Sequence, residues 1–402
     1  MRRKWICAAA SLALSQAAFG AAQAQELRIG VLLTLSGGLA PIGADMRDGF
    51  NLGLAMNGWT KNGDKLAGAT TRVVFEDDQG KTDVGVRAVE KMIKSDRVQI
   101  VTGIMLSNVA MAIQPALAGS QRILMSANAT PAPLAGPNCS PYFLSVAFQN
   151  DTFSEAMGAL LTKEGVKKVF LIAPNYQAGK DNLAGFERHY RGGQIVDRSL
   201  FKLGEADFQA DISKIRASGA EAVFGFLPAG MGIAFVKQWQ AAGMNTKMKL
   251  YSVYTVDALS LPALGKGAVG TFHTNFWSPD SEVAESRAFV RAFRAKFSRR
   301  PSHYAAQAYD AARLIAAAVK SLKGKITDGD QLPLARALRT ARFDSVRGDF
   351  AFNVNGLPIQ DIIKREVVLG KDGVPQIVGR GVVFKAHKDS YWQSCPPSGR
   401  LP

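Results

Sequence analysis

The chain has 402 residues, with 49 Lys+Arg against 33 Asp+Glu, a formal net charge of +16 at pH 7. Apolar residues make up 47% and charged residues 20%, a globular balance that excludes fibrous and disordered classes. The length suffices for two or three domains, while three cysteines are too few for a disulfide-dense scaffold and lack zinc-ligand spacing.

Arg2, Arg3 and Lys4 open the chain, residues 6–19 are apolar, and Ala22-Gln23-Ala24 offers the small-x-small pattern of a cleavage site. Residues 1–24 therefore read as a signal peptide cut after Ala24, which places the mature protein in the periplasm. No later segment reaches ~18 uninterrupted apolar residues, so no membrane anchor is expected. Export also removes nucleic acid, the partner a strongly basic chain first suggests. Cys139 and Cys395 are the cysteines left after cleavage. An even pair in an oxidising compartment reads as a disulfide tying the C-terminal tail to the body; two unrelated thiols are the alternative.

From Leu27 the pattern alternates. Leu27–Leu33 is a short apolar run suited to a buried parallel strand, and Met46, Phe50 and Leu54 recur on one helical face that Asn57-Gly58 ends. Strands at 72–76, 98–104 and 123–127 then alternate with helices at 84–94 and 108–118. After a Pro- and Gly-containing loop, 130–141, the alternation restarts. Strands at 168–173, 195–200, 221–227 and 249–254 are interleaved with helices near 152–164, 181–190, 208–217 and 230–242. Helices at 286–297 and 302–322 follow, and then a β-rich end, 350–384, with turn signals at Asn355-Gly356 and Asp372-Gly373. The fold class is α/β, with parallel sheets and right-handed crossovers.

Gly265, Gly267 and Gly270 spell G-x-G-x-x-G, but a β-prone run follows where a helix should open, so the dinucleotide reading fails its context. His189, His273, His303 and His387 are scattered and read as surface or packed residues; no metal, cofactor or catalytic constellation emerges. The loops after strands carry more information. Ser36-Gly37-Gly38, Ser107-Asn108 and Asn128-Ala129-Thr130 place hydroxyls and free amides at helix starts, chemistry that holds a carboxylate. Singly, each is only a helix cap.

The order of these elements, from Ile29-Gly30-Val31-Leu32-Leu33-Thr34-Leu35-Ser36-Gly37 through the 123–134 loop to Arg347-Gly348 and the β-rich end, resembles the branched-chain amino-acid (Leu/Ile/Val) binding proteins. These are type I periplasmic substrate-binding proteins of ABC importers. The resemblance implies two Rossmann-like lobes joined by three crossing hinge strands, near 145–147, 273–275 and 349–352. Lobe 1 would be 25–146 plus 276–348, lobe 2 would be 147–275 plus 349–390, and 391–402 a tail. It further implies a monomeric receptor, not an enzyme, that closes on a small carboxylate and docks on ABC permease subunits in the inner membrane.

Relatives hold the ligand carboxylate through positions matching Ser107, Asn128 and Thr130, with Tyr304 as an aromatic wall and Ile42 against the ligand side chain. In lobe 2, Tyr176 is displaced from the usual tyrosine place, which holds Ala178, and Leu227 stands at another. Amino-acid binders also pair the ligand ammonium with an acid after the strand ending near Tyr254. Here Tyr254-Thr255-Val256 stands there and the nearest acid is Asp257. A buried ammonium without a carboxylate is costly, so an aromatic or apolar organic acid is favoured over an amino acid. A sensor of the same fold feeding a regulator is a further alternative. Residues 287–347 hold 14 bases and four acids, a basic stretch that reads as a solvated face or a docking patch.

Overall fold

The computed structural model describes residues 26–401. The expected signal peptide and its cleavage site lie outside the described residues. The first run of elements is β1 (Leu27–Leu33), α1 (Ala40–Ala55), β2 (Lys65–Leu66), β3 (Ala69–Asp77), α2 (Thr82–Lys94), β4 (Ile100–Gly103), α3 (Ser107–Gly119), β5 (Ile123–Ser126), the single turn α4 (Ala132–Ala135) and β6 (Phe143–Ser145). The second is α5 (Thr152–Lys163), β7 (Lys168–Pro174), α6 (Gln177–His189), β8 (Gln194–Phe201), α7 (Gln209–Ala217), β9 (Ala222–Phe226), α8 (Gly230–Ala241), β10 (Lys249–Val253), α9 (Leu261–Leu264) and β11 (Phe272–Asn275). The third is α10 (Ala284–Phe297), α11 (His303–Ser321), α12 (Leu332–Thr340), β12 (Ala351–Phe352), β13 (Pro358–Leu369) and β14 (Pro375–His387).

Two sheets result. The first runs β2-β3-β1-β4-β5-β6; the second runs β12-β13-β11-β10-β9-β7-β8, with β14 paired to β13. β1 lies inside the first sheet, between β3 and β4, and all but one of its residues are buried. That is why it reads as a continuous apolar run, not an alternating one.

The sheets are mostly parallel, with antiparallel pairs added chiefly in the β-rich end, where Asn355-Gly356 and Asp372-Gly373 signal hairpin turns. β2–β3, β11–β13, β12–β13 and β13–β14 pair antiparallel. In three of these pairs a tight turn imposes the direction: a short connection such as 370–374 between β13 and β14 returns the chain antiparallel, whereas a parallel pair needs a long crossover. Gly356 (φ 78°) and Gly373 (φ 73°) take the left-handed conformation at the two expected turns. α12 was missed.

The chain passes between the sheets after β6, after β11 and before β12. Arg347 gathers these passages. Its Nη1 donates to Ala147 O (3.1 Å) and Gln360 Oε1 (2.9 Å), and its guanidinium lies 4.1 Å from the Phe276 ring centroid. The basic stretch 287–347 is therefore not one solvated face. Arg339 and Arg347 are buried, while Arg299 pairs with Asp45 and Asp48, and Arg313 with Glu285 and Asp344.

α11 is buried around most of its circumference, and Ser302 caps it by accepting the Tyr304 N–H (3.0 Å). α1 lies against it because Gly49 and Gly53 have no side chain. A Cβ on Gly49 would stand 2.2 Å from Ala305 O. This contact fixes the start of α11 beside the site described next. Cys139 and Cys395 form a disulfide with Cα atoms 5.6 Å apart, joining the segment after α4 to the tail. The same tail is held to α5 and α6 by the Tyr391 hydroxyl, which donates to Asp151 Oδ2 (2.7 Å) and accepts from Arg188 Nη2 (2.6 Å).

Candidate functional site

A cavity lies between the carboxyl ends of the two sheets. Crevices there are the usual ligand sites of α/β sheets, because loops and helix starts converge on them. Ser107, Asn128, Tyr304, Tyr176, Tyr254 and Ile42 all line it. Thr130 does not. It is fully buried, its hydroxyl donates to Ser145 Oγ (2.7 Å), and its amide donates to Asn150 Oδ1 (2.9 Å). In this conformation Thr130 braces the loop from behind.

Three residues without a glycine's freedom hold positive φ beside the cavity: Ile104 (60°) after β4, Ala229 (55°) before α8 and Tyr254 (60°) after β10. Strain of this kind is kept where the surrounding structure over-determines it, typically at ligand clamps. The turn at Ile104 leads directly into α3. Ala110 N–H is the first in α3 to find a helical partner, Leu106 O, and those of Ser107, Asn108 and Val109 meet none among the described residues. From the other side, α6 starts just after Tyr176, and its first closed bond is Lys180 N–H to Tyr176 O. Two helix N-termini thus face one cavity, each carrying free donors and partial positive charge.

The rest of the wall is apolar and aromatic. Phe148 and Tyr254 have ring centroids 5.4 Å apart, Phe226 meets Tyr254 edge-on at 5.3 Å, and Tyr176 stacks on Phe226 at 6.2 Å. Burial raises the phenols of Tyr176, Tyr254 and Tyr304, so all three remain neutral donors. Among the described residues none of the wall side chains carries a charge.

Two acids beside the cavity are engaged elsewhere. Asp181 accepts from Asn150, Ala132 and Gln177. Asp257 Oδ1 accepts the backbone N–H groups of Leu259 (2.8 Å) and Ser260 (3.0 Å). Burial pushes the Asp257 carboxyl up to about 6, against roughly 3.9 in an unfolded chain. A raised folded value means that the protonated form favours folding. The contribution is full below about pH 4 and lost as pH rises through 6. Asp257→Asn keeps an oxygen for both amides, and should flatten the decline in melting temperature between pH 4 and 7. An unchanged slope would show that this carboxyl titrates normally.

Sequence reasoning missed Phe148, Asn150, Phe226 and Met231, all on the wall. Phe226 and Met231 carried a usable signal, since both flank the end of a predicted strand. Leu227, which stands where relatives usually keep a tyrosine, is fully buried and packs into the separate apolar core beneath α8. Successive strand residues face opposite sides, so the adjacent Phe226 takes the cavity side. Asn150 had no local signal.

A family model described as periplasmic binding protein matches residues 26–372. The chain belongs to that family. Relatives of this binding protein include Leu/Ile/Val-binding protein homolog 6 of Brucella melitensis biotype 1, 27% identical over 90% of this chain and 93% of the relative. Among solved structures it is similar to an ABC transporter solute binding protein from R. palustris in complex with benzoate, with 27% identity and a TM-score of 0.84, over 92% of this chain and 99% of that one. A second, from Rhodopseudomonas palustris BisB5 in complex with 3,4-dihydroxy benzoic acid, is 26% identical with a TM-score of 0.84, over 91% and 99% of the two chains.

Proposed function

We propose that this binding protein captures a small carboxylate with an aromatic or apolar body and delivers it to the permease of an ABC importer in the inner membrane. The observation that carries this reading is the charge-free aromatic wall combined with two helix N-termini aimed into it. Backbone donors and the Ser107 hydroxyl can neutralise a carboxylate without a buried counter-ion. An ammonium finds no carboxylate on the wall, and burying it unpaired costs several kcal/mol. The similarity to proteins solved with benzoate and 3,4-dihydroxy benzoic acid supports the same class.

In this reading lobe 1 (25–146 plus 276–348) seats the carboxylate through Ser107 and the Asn128 loop, with Thr130 behind it. Lobe 2 (147–275 plus 349–390) brings Tyr176, Phe226 and Tyr254 over the ring. Ligand binding shifts an open–closed equilibrium about the three passages, because only the closed form offers both walls at once. The protein acts as a monomer in the periplasm, after cleavage behind Ala24.

The names of the Leu/Ile/Val-binding relatives favour a branched-chain amino acid instead. Calorimetry of the mature protein with benzoate, 4-hydroxybenzoate, leucine and isoleucine separates the two. The expected result is micromolar or tighter binding of an aromatic acid and none of the amino acids. Binding of leucine or isoleucine alone would overturn the proposal.

A further inference from the structure

Asn150 lies on the loop after β6, on the cavity wall, and is 4% exposed. The partners of its side-chain amide leave no choice of orientation. Oδ1 accepts the Thr130 backbone N–H (2.9 Å), a group that can only donate. Nδ2 donates to Asp181 Oδ2 (2.9 Å). That carboxylate also accepts the Ala132 N–H (3.2 Å) and, through Oδ1, Gln177 Nε2 (2.7 Å), so every neighbour treats it as an acceptor. The same Nδ2 donates to Ser107 Oγ (2.9 Å). A hydroxyl that accepts from a committed donor must turn its own hydrogen elsewhere. Ser107 donates to nothing else among the described residues, is 2% exposed and lines the cavity.

We propose that Asn150, oriented by Asp181, is a positioning residue that fixes the Ser107 hydroxyl as a donor into the cavity and so selects a ligand with acceptor atoms only. The inference rests on the carboxylate reading and deepens it. The chain of polarity starts at an acid in α6, crosses Asn150, and ends at the first residue of α3. One acid removed from the wall thereby sets the charge class of the ligand without touching it. Asp181 also accepts the Ala132 N–H at the start of α4, next to the Asn128 loop, so the same carboxylate joins α6 to the loop that follows β5.

The test removes the polarity without adding a charge to the wall. Calorimetry with benzoate and its neutral amide, benzamide, on wild type, Ser107→Ala and Asn150→Ala reads the outcome. Wild type should prefer benzoate. A donor hydroxyl predicts at least a fivefold larger loss for benzoate than for benzamide in Ser107→Ala, and releasing that hydroxyl in Asn150→Ala should lower the ratio of the two affinities at least fivefold at an unchanged circular-dichroism spectrum. A ratio within twofold of wild type in Asn150→Ala overturns the inference while leaving the carboxylate reading standing. Wild type that binds no aromatic acid takes down both. Should Asn150→Ala fail to fold, Ser107→Ala alone decides, and equal losses for the two ligands overturn the inference.

Discussion

Phe226→Asp is expected to weaken the binding of an aromatic carboxylate at least thirtyfold. Phe226 is 4% exposed and lines the cavity between Tyr176 and Tyr254. The substitution removes a ring contact and places a second negative charge in a cavity with no cation on its wall. At an effective dielectric constant of 20, like charges even 8 Å apart repel by about 2 kcal/mol, which alone is roughly thirtyfold in affinity. Phe226→Leu provides the control, since it loses the ring but adds no charge, and should cost only severalfold. Calorimetry on both variants, alongside their melting temperatures, decides the matter. Benzoate affinity of the aspartate variant within fivefold of wild type would place the ligand away from this wall.

The second large effect concerns the disulfide. Replacing Cys139 and Cys395 together by serine should destabilise the folded protein by about 3–5 kcal/mol, lowering the melting temperature by roughly 4–6 °C. The bond spans 256 residues, so its loss releases the long loop whose closure constrains the unfolded chain. It also frees a tail that contacts both parts of the molecule. Cys395 joins the segment beside α4, while Tyr391 seals Asp151 at the start of α5 together with Arg188. Burial and the neighbouring Glu155 raise the Asp151 carboxyl, so loosening Tyr391 exposes a group that this cover keeps dry. Thermal unfolding with and without reductant, on wild type and the double serine variant, gives the readout. If reduction leaves the wild-type melting temperature unchanged, the cross-link does not contribute to stability.

Much of the fold was legible because burial leaves periodic traces. β1 was read residue for residue: apart from Arg28, which pairs with Asp328, the strand is covered on both faces and carries no polar side chain. α11 was read to within one residue at each end, since Ser302 is a true cap and the helix is packed on most sides. α12 was missed because its last turns mix Arg336, Arg339 and Thr340 into the pattern. Arg339 is nevertheless buried, donating to Phe143 O (2.7 Å), so a charged letter concealed an inward-facing position. The same effect made residues 287–347 look like one basic face.

The candidate site divides along the same line. Ser107, Asn128 and Tyr304 sit at strand ends or helix starts, and chain order and resemblance together bring them to one crevice. Thr130 and Leu227 are one or two residues from wall positions, yet face away from the cavity. A loop's direction depends on backbone angles such as the positive φ at Ile104 and Tyr254, which leave no periodic signature in the sequence.

Residue types and their order establish the alternation of strands and helices, the export signal as an expectation, the pair of cysteines open to bonding, and the absence of an acid where amino-acid binders keep one. Each follows from residue type at a known place in the chain. Packing across the chain sets which side of each loop meets the cavity, joins Ser107 to Asp181 through Asn150, and spends several arginines of the basic stretch internally. These depend on what lies across a gap from a residue, 31 positions away for Asn150 and Asp181 and 43 for Asn150 and Ser107. Local patterning records that a face is buried, but hydrogen-bond polarity is set by the partner, and the partner is chosen by the packing of the whole chain.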